Sequence, residues 1–143
     1  MARKGEKSKA AGKLKILVVD DQIGISSFLF DFFSKKGYDV LQARNAKKAI
    51  KLVEKEKPPI VLLDIRLGWG KNGVDVLKEI KELEPKTKVI MMTGVKDEEI
   101  MNRTRDLGAD DYITKPFSLS YLEKVVALKI LKLQIESIGE SEV

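Results

Sequence analysis

Two hydrophobic rhythms alternate along the chain. Short apolar runs, KILVVD at 15–20, IVLLD at 60–64 and KVIMMT at 88–93, have little or no polar break. Runs of this length, bounded by turn residues, predict strands buried on both faces. YDVLQA at 38–43 alternates polar and apolar residues, as a half-buried strand does, and DDYIT at 110–114 is a further, more polar strand.

Between these runs the apolar spacing lengthens to that of helices. Ile25, Phe28, Leu29, Phe32 and Phe33 recur at i, i+3, i+4, i+7 and i+8 within 22–36, and Gly37 supplies the stop. Ala46, Ala49, Ile50 and Val53 share a face of a helix over 46–57, capped by Asn45 and ended by Pro58. A third helix at about 73–84 is expected to bury Val76, Leu77, Ile80 and Leu83. A fourth, 97–107, has a thin stripe of Ile100, Thr104 and Leu107, closed by Gly108. The last starts near Ser118 or Ser120, where Ser120 and Glu123 have capping-box spacing. Its apolar residues Leu128, Ile130, Leu131, Leu133 and Ile135 exceed the needs of one sheet-facing stripe.

Five strand–helix units in strict alternation predict an α/β fold, a doubly wound parallel sheet with helices on both faces. The first, third and fourth strands are the continuously apolar ones and belong at the centre. The second and fifth belong at the edges, which gives the flavodoxin-like order 2-1-3-4-5. The folded unit is expected over 14–136, with a disordered basic tail at 1–13 and a C-terminal tail at 137–143.

Composition narrows the chemistry. The 143 residues are 43% apolar and 34% charged, in keeping with one soluble domain, and no window approaches the roughly 18 apolar residues of a membrane helix. The apolar run after the basic N-terminus is too short for a signal-peptide core, so a cytoplasmic protein is expected. Without cysteine or histidine there is no disulfide, thiolate site, serine–histidine triad or phosphohistidine. The net charge of +5 sits wholly in residues 1–15, six basic residues against Glu6, while the rest of the chain carries 21 basic and 21 acidic residues. The excess belongs to the tail, which is read as solvated, with an arm for nucleic acid or an acidic partner as the alternative. Nucleic-acid binding is not expected from the folded body.

Parallel sheets bind ligands at the carboxyl ends of their strands. Here those ends are Asp20 and Asp21, then Asp64, Thr93 and Lys115. Strands one and three are neighbours in the expected order, so three carboxylates converge. Bare, they would repel, and a hard divalent cation such as Mg²⁺ is the ordinary remedy. Thr93 adds a hydroxyl and Lys115 a mobile ammonium. A carboxylate nucleophile with Mg²⁺, hydroxyl and ammonium describes phosphoryl transfer. Each residue alone has a plainer role as cap, β-former or surface charge; it is their joint placement that points to chemistry. Gly68, Gly70 and Gly73 spell G-x-G-x-x-G, but after the third strand and beside Asp64, where a pyrophosphate would be repelled.

VVDD at 18–21, VLLD at 61–64, MMTG at 91–94 and GADDYITKPF at 108–117 resemble a two-component response-regulator receiver domain over about 14–134. The resemblance implies that Asp64 accepts the phosphoryl group and that Mg²⁺ is held by Asp20, Asp21, Asp64 and the backbone carbonyl of Arg66. Thr93 and Lys115 would hold phosphoryl oxygens, Tyr112 would be the switch aromatic, and Lys115-Pro116 would be cis. The implied partner is a sensor histidine kinase or a histidine phosphotransfer protein, with a homodimer possible on phosphorylation. The chain would be a switch that catalyses only its own phosphorylation and dephosphorylation, not an enzyme on external substrates. A Mg²⁺-dependent phosphatase, a receiver-like module that only binds partners, and the truncated receiver of a DNA-binding regulator are the alternatives. One departure stands out: the glycine preceding the third helix, Gly73, falls nine residues after Asp64 where the family usually has it eight after, so the loop LGWGKNG is one residue longer. Trp69 on it is expected to be exposed, and Arg66 and Val95 occupy the positions that often tune phosphate lifetime.

Overall fold

The computed structural model describes residues 13–68, 72–94 and 98–142, the last three as backbone only. The basic tail over 1–12, Trp69, Gly70 and Val95 lie outside the described residues. Five strands, β1 (Lys15–Val19), β2 (Asp39–Ala43), β3 (Ile60–Asp64), β4 (Lys88–Thr93) and β5 (Asp111–Thr114), alternate with α1 (Ile23–Lys35), α2 (Ala46–Glu56), α3 (Gly73–Leu83) and α4 (Glu98–Asp106). Helix α5 closes the chain in three contiguous segments: Leu119–Tyr121, a π-helical stretch Leu122–Val126, and Ala127–Glu142. All strand pairs are parallel and the order is β2-β1-β3-β4-β5, as the hydrophobic pattern predicts.

Strand periodicity splits the core into two layers. Ile16, Val18, Ile60, Leu62, Ile90, Met92 and Ile113 point to the face covered by Leu29 and Phe33 of α1 and Val126 and Ile130 of α5. The intervening Leu17, Val19, Val61, Leu63, Val89 and Met91 meet Val53 of α2 and Val76, Leu77 and Ile80 of α3. Every residue of β3 and β4 is buried, which is why these strands have no polar alternation. Each such Leu or Ile contributes about 1.5–3 kcal/mol by leaving water, so the layers hold the strand ends at fixed spacing.

Local signals set the element limits. Asn45 accepts from the Lys48 N–H, and Asn72 from the Asp75 N–H, as N-caps. Gly37 and Gly108 turn the chain at φ 96° and 101°. Five expectations change. The final helix is capped by Ser118, which accepts from the Tyr121 N–H, so Ser120 lies inside it and the Ser120–Glu123 capping box does not form. Leu83, the last residue of α3, is 39% exposed. Phe28 is 37% exposed at the rim of α1. Asp110 precedes β5, its carboxylate accepting from the Val89 N–H and from Lys81 Nζ. Helix α5 runs to Glu142, beyond the boundary expected at 136.

The third helix docks on the end of β3 through one glycine. The Gly73 N–H donates to the Ile65 carbonyl at 2.9 Å. A Cβ at Gly73 would overlap the Asp64 carbonyl oxygen and lie 2.7 Å from Ile65 Cα and 2.8 Å from its oxygen, all backbone atoms that cannot swing aside. This close approach is made nine residues after Asp64. At Gly24 of α1 an added Cβ would meet nothing within 4 Å. Gly73→Ala is expected to cost about 1–3 kcal/mol or more in urea unfolding, whereas Gly24→Ala leaves stability unchanged or raises it.

Candidate functional site

The carboxyl ends of β1, β3, β4 and β5 face one cavity of about 240 Å³, lined by Gln22, Asp64, Ile65, Arg66, Thr93, Gly94, Ile100 and Lys115. Asp64 is the last residue of β3 and only 5% exposed; Asp20 follows β1 and is fully buried. Carboxylates so buried cost several kcal/mol each unless charge and hydrogen bonds compensate. The compensation is local. Asp64 Oδ1 accepts from the Arg66 N–H at 3.0 Å and Asp20 Oδ1 from the Gln22 N–H at 2.9 Å. Lys115 Nζ reaches between the two acids, 3.0 Å from Asp64 Oδ2 and 2.8 Å from Asp20 Oδ2. The Lys115-Pro116 peptide is cis, as the resemblance implies.

This arrangement moves both proton affinities. Burial pushes the Asp64 carboxyl above its ordinary value; the hydrogen bonds from Lys115 and Arg66 pull it down, and the Asp20 charge adds to the rise. For Lys115 burial acts downward, but its close contacts with the Asp20 and Asp64 carboxylates outweigh it and its value is raised.

The donor set fits a hard divalent cation. Asp20, Asp21 and Asp64 each offer a carboxylate oxygen, all within 4.8 Å of one another. Asp20 Oδ2 is buried and makes no hydrogen bond; at 2.8 Å from Lys115 it is held by charge alone, off hydrogen-bond geometry. The Lys115 ammonium thus neutralises two carboxylates that a cation could neutralise instead, with all-oxygen donors as Mg²⁺ prefers. Gly68 closes in behind Asp21, where a Cβ would stand 3.0 Å from Asp21 Oδ2.

Tyr112 lies on the α4 side of β5. Its hydroxyl donates to the Met101 carbonyl at 2.9 Å and is 3.0 Å from Thr104 Oγ1, which itself donates to the Met101 carbonyl. Thr104 is the one fully buried residue of α4; Ile100 is half-buried against the core, so a polar contact and a thin apolar one together tie this helix to the sheet. Thr93 is buried at the end of β4, its carbonyl accepting from the Lys115 N–H at 2.8 Å. All the sequence-predicted site residues except Tyr112 and the Asp20–Asp21 pair line the cavity itself; the pair adjoins it through Asp64, and Tyr112 stands behind Thr104. Gln22 and Ile100 line the cavity without having been singled out. Gln22 could have been found as the residue following the acidic pair, whereas Ile100 reads from sequence only as helix core.

Against known proteins, the family model for the response regulator receiver domain matches residues 16–127. The chain is 38% identical over 112 residues to sporulation initiation phosphotransferase F of Bacillus subtilis, covering 78% of this chain and 90% of that protein. It is 41% identical over 105 residues to the alkaline phosphatase synthesis transcriptional regulatory protein PhoP of the same organism, spanning 43% of that longer protein. A CheY-like receiver domain protein from Methanospirillum hungatei superposes with a TM-score of 0.79 at 30% identity, covering 87% of this chain and 99% of that one. The receiver domain of NtrX from Brucella abortus gives 0.74 at 33% identity, over 82% and 98%. The chain belongs to the response regulator receiver domain family of two-component signalling.

Two outcomes are expected. Because the Asp64 carboxyl binds its proton more tightly folded than unfolded, it favours the folded state at acid pH, and that contribution is lost as pH rises from the ordinary carboxylate range through its raised folded value. Asp64→Asn should therefore raise the melting temperature at neutral pH relative to wild type, the gap narrowing as pH falls towards the ordinary carboxylate range. Tyr112→Phe removes the hydroxyl from Met101 and Thr104 and should cost about 1 kcal/mol, with faster amide exchange confined to α4.

Proposed function

We propose that Asp64 accepts a phosphoryl group from the phosphohistidine of a sensor histidine kinase or histidine phosphotransfer protein, and that the modified chain switches its binding of partners. The observation that carries this is the buried Asp64 carboxylate facing an open cavity with Thr93 and Lys115 beside it. In the transfer, an Asp64 carboxylate oxygen forms a bond to phosphorus as the P–N bond to the partner imidazole breaks, and the bonding pair stays on the ring nitrogen. Asp20, Asp21, Asp64 and the Arg66 carbonyl would hold Mg²⁺, which when bound neutralises charge on the phosphoryl oxygens. Lys115 exchanges one carboxylate for a phosphoryl oxygen, and the Thr93 hydroxyl donates to another. Water hydrolyses the acyl phosphate and returns Asp64, so the only substrate the chain turns over is its own phosphoryl group.

The new dianion draws on Thr93 and Lys115, and Tyr112 moves with the space Thr93 leaves. The phenol is bonded to α4, so its displacement is felt by the helix with the least apolar anchorage. Copies of the chain associate more strongly in the phosphoryl form. The setting is the cytoplasm, where such phosphodonors are made; among the described residues no helix is long and apolar enough to cross a membrane.

Incubation with Mg²⁺ and acetyl phosphate, or with a phosphorylated histidine phosphotransfer protein, followed by intact mass, tests the assignment. One added phosphoryl group is expected in wild type and none in Asp64→Asn, while Thr93→Ala or Lys115→Ala should slow labelling on the order of 10²-fold. A folded wild type that takes no label from any phosphorylated donor, or equal labelling of Asp64→Asn, would sink it.

A further inference from the structure

The folded body is neutral overall, and on that ground no nucleic-acid binding is expected of it. Its charges are nevertheless segregated. Residues 44–57 hold six basic residues against Glu54 and Glu56, so the rest of the body is correspondingly acidic. Lys47, Lys48, Lys51 and Lys55 fall within an arc of about 100° on α2, opposite the buried Ala49 and Val53. All four are exposed, as is Arg44 just before the helix. None of the five makes an ion pair among the described residues, whereas Lys57 pairs with Glu84 and Lys15 with Glu56. Two further features extend this face. Helix α2 lies over β1 and the edge strand β2, at the margin of the sheet. The Lys15–Glu56 contact at 2.8 Å sets the start of β1 beside the last turn of α2. The sequence of residues 1–12, with Arg3, Lys4, Lys7 and Lys9 against Glu6, joins the fold at this end.

We propose that the lysine face of α2, with the basic sequence that joins the fold beside it, binds the phosphate backbone of duplex DNA. Lysine is a strongly hydrated point charge that meets phosphates without a fixed geometry. The cores of protein interfaces are instead poor in lysine and rich in aromatic residues and arginine. Helix α2 exposes no large apolar side chain; among the described residues these lie on α1, α3 and α5. A helix lying in a lipid surface needs such an apolar face. The partner that fits is a dense, regular polyanion, and duplex DNA carries one charge per roughly 1.7 Å of its axis. The exposed Asp75 and Glu82 of the neighbouring α3 bound the face on its inner side, which leaves the β2 side for the duplex. The contacts are with phosphates, which carry no sequence information, so binding is independent of sequence. None of these residues lines the cavity at Asp64, and the binding does not require a phosphoryl group.

The test is fluorescence anisotropy of a labelled short DNA duplex titrated with the full chain, without phosphodonor, over a series of salt concentrations. Saturable binding is expected, equal for two unrelated sequences and falling steeply with salt. The double variant Lys51→Glu, Lys55→Glu should weaken it about tenfold or more and make the slope of log K against log salt shallower by about two, with circular dichroism unchanged. Glutamine at the same two positions should act in the same direction by a smaller factor. Lys124→Glu with Lys132→Glu, on α5 across the sheet, makes the same change in net charge. At about 0.1 M salt, where exposed charges are screened beyond about 10 Å, that pair should stay close to wild type. Glutamine at Arg3, Lys4, Lys7 and Lys9 together should weaken binding but leave the loss caused by the α2 variant measurable. No binding by the wild type, indifference to the α2 substitutions, or an equal loss in the α5 pair overturns the proposal. So does a preference for phosphatidylserine vesicles or single-stranded RNA over the duplex in competition.

Discussion

The site rests on a single ammonium group shared between two buried carboxylates. Lys115 stands 2.8 Å from Asp20 and 3.0 Å from Asp64, and without it the ends of β1 and β3 would place two like charges side by side in a poorly solvated pocket. Coulomb repulsion between such groups amounts to several kcal/mol at the effective dielectric of a protein pocket. The neutralisation is incomplete: the Asp64 carboxyl still lies above its ordinary value, and Asp20 Oδ2 has charge contact but no hydrogen bond. A site held together but not satisfied can respond to an added cation or phosphoryl group with a rearrangement of charge.

The fold supplies the rigidity this requires. β3 and β4 are buried along their whole length between two apolar layers, so Asp64 and Thr93 cannot drift apart. Gly73 lets the start of α3 approach the backbone of Asp64 and Ile65 more closely than any side chain would allow. The opposite property is found in α4, where one buried threonine and a tyrosine hydroxyl supplement a thin apolar contact at Ile100. Rigid strands and a more loosely fastened helix meet at Thr93 and Tyr112, the combination through which the proposed phosphorylation would turn a local change of charge into a change of surface.

Helix α5 carries two apolar stripes. Its core stripe fills the layer shared with α1, while a second stripe turns outward past Ala127. The π-helical stretch Leu122–Val126 keeps Leu122 and Val126 buried before the regular helix resumes. The helix thus keeps its contacts to β5 and the sheet while its second stripe is exposed.

The sequence by itself determined the order of the elements, the strand order and the set of acids at the strand ends. Those follow from hydrophobic period and from the rule that buried parallel strands lose their polar alternation, properties that are local or nearly so. Asp64, Thr93 and Lys115 were legible because each terminates a strand whose neighbours could be inferred. Only the tertiary structure decided that Lys115 bridges Asp20 and Asp64, that Gln22 and Ile100 enter the cavity, and that Tyr112 bonds to α4 through Met101 and Thr104. It also chose Ser118 over Ser120 as cap and left Leu83 and Phe28 partly in water. These depend on side-chain directions at distances of dozens of residues along the chain, and no periodicity carries that information; it arises when the two layers close on the sheet.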